Sequence, residues 1–346
     1  GAGTGGALLI NSQGDEWDPG ASVNYGTGSY NLQNFSAQAR LGSDERRNSF
    51  GFTHQASDGY RDHTKMRRDV ASWETRIHAS EKQELQASVL YGDLYYQTPG
   101  GLTEAQYLAN AKAARGPAGM FPGADDAQAA IYQKTFLAGL NHTWRFSEQF
   151  HNSSVVYGAF SQIKNPTFRN YEKRSEPHFG GRTVFSYQQE IGSLQYAVLF
   201  GGEAQKGFFN TKTFDNEQGN PGAVQTDDDI DTWIYSAFLQ FDVHLPGNWS
   251  LSAGSSINKS SITITRLSVP GFVPVKRTFA SEWAPRLAIS KKITPGILLY
   301  ASVAQGFSPP TTQEVLPSTS VISTGLNAED GVNYEAGIKS SFLGNQ

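Results

Sequence analysis

Cysteine is absent from all 346 residues. That removes disulfides, thiol nucleophiles and cysteine-ligated zinc or iron–sulfur centres together, and it suits a large chain in an oxidising, extracytoplasmic compartment. Charge is also scarce. Charged residues make up 17% and hydrophobic ones 38%, both below the roughly 25% and 45–50% of an ordinary globular chain. A net charge of −4 leaves no basic footprint for nucleic acid, and low charge with many aromatics excludes a disordered chain. No apolar run approaches the roughly 18 residues of a transmembrane helix. Barrel strands cross a membrane with only alternate residues apolar, so a membrane remains open.

What is present is glycine (36), with 21 Phe, 15 Tyr and 6 Trp. Helical periodicity is nearly missing, whereas two-residue alternation recurs throughout. Trp233, Tyr235, Ala237, Leu239, Phe241, Val243 and Leu245 share one face, opposite Ser236, Gln240, Asp242 and His244, with Phe238 out of pattern. Phe136, Ala138, Leu140 and Trp144 oppose Thr135, Asn141, Thr143 and Arg145. About fourteen such segments can be counted, several long enough to cross a bilayer.

Connection lengths sort by side. Short junctions fall at 42–46, 80–83, 146–150, 191–194, 245–249 and 291–296, and long ones at 57–70, 98–132, 164–182, 207–229, 260–279 and 307–332; only 26–30 breaks the rule. A bacterial outer-membrane barrel has this asymmetry, with short periplasmic turns and long extracellular loops; a soluble all-β protein with long insertions is the alternative. Trp73, Trp144, Trp233, Trp249 and Trp283 stand on the apolar faces and are expected near strand ends, as interfacial girdles. The fold class is therefore all-β: a large antiparallel transmembrane β-barrel, present in part. Both ends read as internal to a longer protein, so the first and last strands would be unpaired edges unless missing strands complete the closure.

Several segments then resemble one family in order along the chain. Gly1-Ala2-Gly3-Thr4-Gly5-Gly6-Ala7-Leu8-Leu9-Ile10 resembles the end of the plug in TonB-dependent outer-membrane receptors. Ser57-Asp58-Gly59-Tyr60-Arg61 is similar to the family's pattern at the top of the third strand. Pro99-Gly100-Gly101-Leu102-Thr103 with Gln106-Tyr107 resembles a loop of the ferric siderophore and ferric citrate branch. Gln305-Gly306-Phe307-Ser308-Pro309-Pro310 is similar to a family strand end. Leu326-Asn327-Ala328-Glu329 with Asn333-Tyr334-Glu335-Ala336-Gly337 is similar to a later stretch, with Ala328 where proline is usual. The resemblance implies a barrel of about 22 strands with a plugged lumen. Residues 1–13 would close the plug and 14–346 would supply about fourteen barrel strands. It further implies a ferric siderophore or related iron chelate as cargo, and energy from a TonB–ExbB–ExbD complex through an N-terminal box. The setting would be the bacterial outer membrane, with its lipid and lipopolysaccharide as neighbours. Cobalamin or oligosaccharide uptake, and a passive porin or adhesin, stay open as alternatives.

No enzyme is legible. Gly1–Gly6 formally fits a dinucleotide fingerprint but no βαβ unit surrounds it, and no G-x-S-x-G elbow occurs. The seven histidines, His54, His63, His78, His142, His151, His178 and His244, form no metal motif, so neither a resident metal nor a cofactor is expected. By alternation His54 and His142 would face lipid near an interface. Asp227-Asp228-Asp229 with Asp231 lacks the glycine and glutamate of an EF-hand and reads as a solvated loop or a divalent cross-link.

Two loops are basic. Arg61, His63, Lys65, Arg67 and Arg68 crowd one; Arg169, Lys173, Arg174, His178 and Arg182 crowd the other. Arginine clusters take carboxylate-rich anions through bidentate bonds, so Arg61, His63, Arg67, Arg68, Arg169, Arg174, His178 and Arg182 are the candidate ligand contacts. Binding to lipopolysaccharide phosphates, or simple solvation of the loops, is the competing reading. Loops 57–69, 98–132, 164–182, 207–229 and 307–331 would carry the ligand, with a short helix at 103–115 from the spacing of Ala105, Leu108, Ala109 and Lys112.

Overall fold

The computed structural model describes residues 17–317, 321–323 and 325–341. The expected plug end, 1–13, lies outside them. In chain order the elements are β1 (Gly20–Gly28), β2 (Leu32–Ser43), β3 (Arg46–Ser57), β4 (Met66–Ser80), β5 (Gln83–Gln97), α1 (Glu104–Ala109), β6 (Ala130–Arg145), β7 (Phe150–Pro166) and β8 (Tyr171–Ser175). There follow β9 (His178–Ile191), β10 (Leu194–Glu217), β11 (Asn220–Leu245), β12 (Trp249–Arg266), β13 (Val275–Thr278), β14 (Glu282–Thr294), β15 (Ile297–Ser308), α2 (Thr312–Val315) and β16 (Glu329–Ser340).

All strands join one antiparallel sheet in which sequence neighbours pair. Two positions are interrupted. β8 and β9 both lie between β7 and β10, and β13 and β14 both pair with β12. The sixteen strands thus fill fourteen positions, matching the number of alternating segments. Pro177 at the first interruption has no N–H to give the ladder; its carbonyl still accepts from the Phe208 N–H at 2.9 Å.

Alternation and register assign the faces. The row Phe50, Trp73, Val89, Ala138, Gly158, Phe179, Lys206 and Trp233 runs across eight strands on the apolar side. Phe136 (46% exposed), Leu140 (46%) and Leu239 (57%) lie uncovered on this side. A soluble protein would bury a continuous apolar band, whereas a lipid-facing one leaves it bare. Trp144, Trp249 and Trp283 stand toward its margins as expected, and Trp233 tops the band on β11. Trp73 is the exception: it sits at the middle of β4, paired with Phe50 and Val89. The opposite face is polar and faces the lumen. There, aromatics lie across glycines that are their direct cross-strand partners: Tyr157 on Gly180, Phe238 on Gly201 and Tyr300 on Gly337.

The loop rim differs from the expected one in a specific way. Segment 207–229 is not a loop. β10 and β11 run on as a ladder of 24 and 26 residues to a two-residue turn at Gln218-Gly219. Both turn residues have positive φ, 52° and 87°, the geometry of a type I′ hairpin turn. At about 3.3 Å per residue and a tilt near 45°, the part above Phe208 rises on the order of 20 Å past the apolar band. Segment 164–182 likewise contains β8 and the start of β9. The 103–115 helix shortens to α1, capped by Thr103 and stopped at Asn110, because Arg115 N–H turns back to the Pro99 carbonyl at 2.7 Å.

A Cβ at Gly201 would lie 2.8 Å from Phe238 Cζ and collide with the Thr183 carbonyl, whereas one at Gly92 meets nothing within 4 Å. Gly201→Val is expected to cost about 1–3 kcal/mol and Gly92→Ala less than about 0.5 kcal/mol. Urea titration of heat-modifiable electrophoretic migration reads both.

Candidate functional site: the loop rim and upper lumen wall

Three loops are bound into one unit above the sheet. Arg61 donates from Nη2 to the carbonyls of Ala113 (2.9 Å) and Gly100 (3.0 Å), and from Nε to Ala113 at 3.2 Å. The His63 ring reaches the Ala129 carbonyl at 2.7 Å and Asp125 at 3.2 Å, and is only 2% exposed. Asn216 Nδ2 donates to the carbonyls of Ala127 (2.8 Å) and Thr167 (2.7 Å). Arg115 lies 4.4 Å over Phe168, which Arg169 also contacts at 5.6 Å, beside Phe121. Arg61 and His63 therefore act as struts between loops. Buried carbonyls left without such donors would be costly.

The other candidate residues divide by face. Arg67 is on the lipid side, bound to Asp69 at 2.7 Å and Asp93 at 3.0 Å. Asp69 also holds His54 at 2.6 Å, and Lys134 reaches Asp93 at 3.7 Å. His54 thus sits on the apolar side in a charged row above the band; His142, on the same face, lies beside Trp144 and 3.4 Å from Gln83 Oε1.

On the lumen side stand Arg68, Arg174, His178 and Arg182. Arg68 is exposed and has no ion pair among the described residues. Arg174 lies between Glu172 (3.5 Å) and Glu176 (3.4 Å). His178 meets the edge of Phe209 at 6.4 Å. Arg182 approaches Glu203 at 3.9 Å and stacks 4.9 Å from Phe238. Tyr157, which the sequence did not single out, donates to Glu203 at 3.1 Å. Alternation places it on this wall but carries no sign of its partner.

The upper wall is capped by an apolar contact. Ile230, Ile262 and Ile264, on lumen-facing positions, bury against Phe279 and against Val315 and Leu316 of the α2 segment. Asp228, 1% exposed, lies two residues from Ile230 on the turnward side of this plate and accepts from Arg266 Nε at 2.8 Å and Nη2 at 3.2 Å. The acidic run is therefore not a solvated loop. As part of β11 it alternates: Asp228 inward, Asp227 and Asp229 outward, the latter two sharing the Asn210 amide at 2.9 Å each.

This is the outer end of a wide barrel with an apolar exterior, a polar interior and loops folded over one rim. The chain belongs to the TonB-dependent receptor-like β-barrel family, whose model matches residues 3–346. Its fold is similar to the unliganded ferric citrate transporter FecA (TM-score 0.74, 15% identity, 93% of this chain and 48% of that one). It is similar to the siderophore receptor PiuA of Acinetobacter baumannii (0.76, 12%, 95% and 56%). The ferric yersiniabactin receptor FyuA of Yersinia pestis is a third such structure (0.69, 14%, 96% and 53%). The chain spans about half the length of these proteins.

Lys212 reaches Asp227 at 2.9 Å. Burial opposes the charge on Asp227, but hydrogen bonds from Lys212 and Asn210 and the charge of Lys212 outweigh it and hold the carboxyl below its ordinary range. The resulting stabilisation is complete above the unfolded carboxylate range and is lost as pH falls through the lowered native value. Protection factors of amides in the upper β10–β11 hairpin, each rate referred to the intrinsic rate at its pH, are expected to fall below about pH 4. Asp227→Asn should flatten that step in a pH series of hydrogen exchange.

Proposed function

We propose that the protein is an outer-membrane transporter that takes up a ferric siderophore or related anionic iron chelate, driven by TonB with ExbB and ExbD. The observation that carries this reading is the placement of Arg68 of β4, Arg174 of β8 and His178 and Arg182 of β9 on the lumen-facing side of the sheet, in a barrel of this family. Bidentate guanidinium contacts match carboxylate or catecholate oxygens around iron. The related structures are receptors for ferric citrate and siderophores, which supports the same class of cargo. No covalent step is assigned. Uptake rests on differential binding, tight from outside and weakened as the energised plug rearranges.

On this reading Arg61, His63 and Arg169 shape the loops rather than meet the chelate first, and Arg67 belongs to the exterior. In a strain carrying this receptor as its sole iron transporter, uptake of labelled ferric citrate, ferric catecholate or ferric hydroxamate is expected for at least one chelate. It should stop on addition of a protonophore. Removal of one charge-assisted contact costs roughly 1.5–3 kcal/mol, so Arg68→Ala or Arg182→Ala should weaken that chelate by about 10- to 100-fold. Uptake indifferent to the protonophore would instead make the protein a passive porin. Uptake of cobalamin or an oligosaccharide alone would move the cargo outside iron.

A further inference from the structure

The lumen wall holds a small constellation that anion binding by itself does not require. Phe238 breaks the polar pattern of β11, and its ring lies across Gly201 of β10 to stack 4.9 Å from the Arg182 guanidinium of β9. From the other side, Tyr157 of β7 lies across Gly180 of β9. Its hydroxyl reaches β10 at Glu203 Oε1 (3.1 Å) and Gln205 Oε1 (3.3 Å). Each ring crosses a strand because a glycine stands beneath it. A Cβ at Gly180 would lie 2.6 Å from the Tyr157 oxygen, and one at Gly201 would lie 2.8 Å from Phe238 Cζ. The two rings therefore close on one cross-strand pair, Arg182 opposite Glu203.

That pair is held loosely. Arg182 Nη1 stands 3.9 Å from Glu203 Oε2, beyond the roughly 3.2 Å of a hydrogen bond, although opposite charges directly across strands attract. Tyr157 supplies the reason. It has one hydroxyl proton and two acceptors within reach, and the carboxylate is the stronger of the two. A glutamate engaged by the phenol leaves the arginine stacked on Phe238, its side chain 46% exposed to the lumen. The second acceptor defines the opposite arrangement. With the phenol on Gln205, about 1 Å of movement brings Glu203 into a charge-assisted bond with Arg182.

We propose that Glu203 competes with the anionic oxygens of the cargo for Arg182, and that Tyr157 is the positioning residue that decides the competition. With Tyr157 on Glu203 the guanidinium is open to the chelate. With Tyr157 on Gln205 the glutamate takes the anion's place, so Arg182 keeps a partner as cargo departs and release is less costly. The inference rests on the ferric-chelate reading above and adds to it a built-in means of release.

The test uses the full-length receptor in mild detergent. Phenylglyoxal, which modifies accessible guanidinium groups, reports on Arg182 without any chelate, its rate read by peptide mass spectrometry. Arg174, held between Glu172 and Glu176, serves as internal reference. Tyr157→Phe keeps the ring and removes the hydroxyl; it should slow labelling of Arg182 about 3-fold, whereas Glu203→Gln should speed it about 3-fold. The double variant should match Glu203→Gln, because without the carboxylate the hydroxyl has nothing to hold back. Binding of ferric citrate, a ferric catecholate and a ferric hydroxamate should follow the same order: weaker in Tyr157→Phe, tighter in the other two. A Tyr157→Phe effect of equal size in both backgrounds would make the tyrosine a packing residue and overturn the proposal. So would unchanged labelling in Glu203→Gln, the variant that decides if Tyr157→Phe fails to fold. If a chelate binds while labelling ignores both substitutions, this inference alone falls. If labelling follows the expected order but the unsubstituted receptor binds none of the three chelates, the functional reading falls and the control of Arg182 by Glu203 and Tyr157 stands.

Discussion

In hydrocarbon an unpaired backbone N–H or C=O has no water to turn to, and each one costs several kcal/mol. That constraint organises the chain. A sheet satisfies its interior groups through neighbours, so antiparallel hairpins follow one another without a crossover across fourteen positions. Once the backbone is committed to that ladder, each side chain belongs to one of two solvents. Lipid takes the row through Phe50, Trp73 and Trp233, and the lumen takes Tyr157, Arg182 and Glu203. The same alternation explains how candidate residues adjacent in sequence, Arg67 and Arg68, serve different environments.

Above the membrane the constraint relaxes, and a second device takes over. Loops are held by donors aimed at backbone carbonyls, as Arg61 does at Ala113 and Gly100 and Asn216 at Ala127 and Thr167. A further loop is held by apolar contact, with Val315 and Leu316 pressed on the isoleucines of β11 and β12. These contacts take Arg61 and His63 out of the lumen-facing set, and of the cations that remain Arg174 and Arg182 are themselves answered by glutamates. The wall with Arg68, Arg174, His178 and Arg182 is therefore a smaller and better defined surface than the eight basic residues taken together.

The barrel was legible because lipid imposes a strict two-residue period, visible in Trp233–Leu245 without any structure. The rim was less so. Past Phe209, residues 210–229 carry only Phe214, Ala223 and Val224 as scattered apolar side chains among polar ones, so the ladder there leaves no sustained hydrophobic alternation. A strand in water then resembles a loop by composition. The Gln218-Gly219 turn was the available signal, since a two-residue positive-φ pair closes a hairpin. Basic residues were found in the right loops, but their partners lie dozens of positions away: Arg61 on Ala113, His63 on Ala129. Distances of that kind come from the folded chain, because spacing along it records no contact. Trp73 shows the converse error, an aromatic at mid-strand whose place in the band depends on register with Phe50.

The tall β10–β11 hairpin also restricts how this face of the protein can vary over evolutionary time. Its outermost turn is the natural place for insertions. Side chains below the turn keep their faces whatever is added there, because their phase is set by the ladder that rises from Phe208 and Trp233. An odd insertion within an arm is different: one residue added between Asp228 and Ile230 would carry Asp228 from its arginine to the exterior, with every residue beyond it. Variation is therefore free at the tip and subject to a parity rule in the arms.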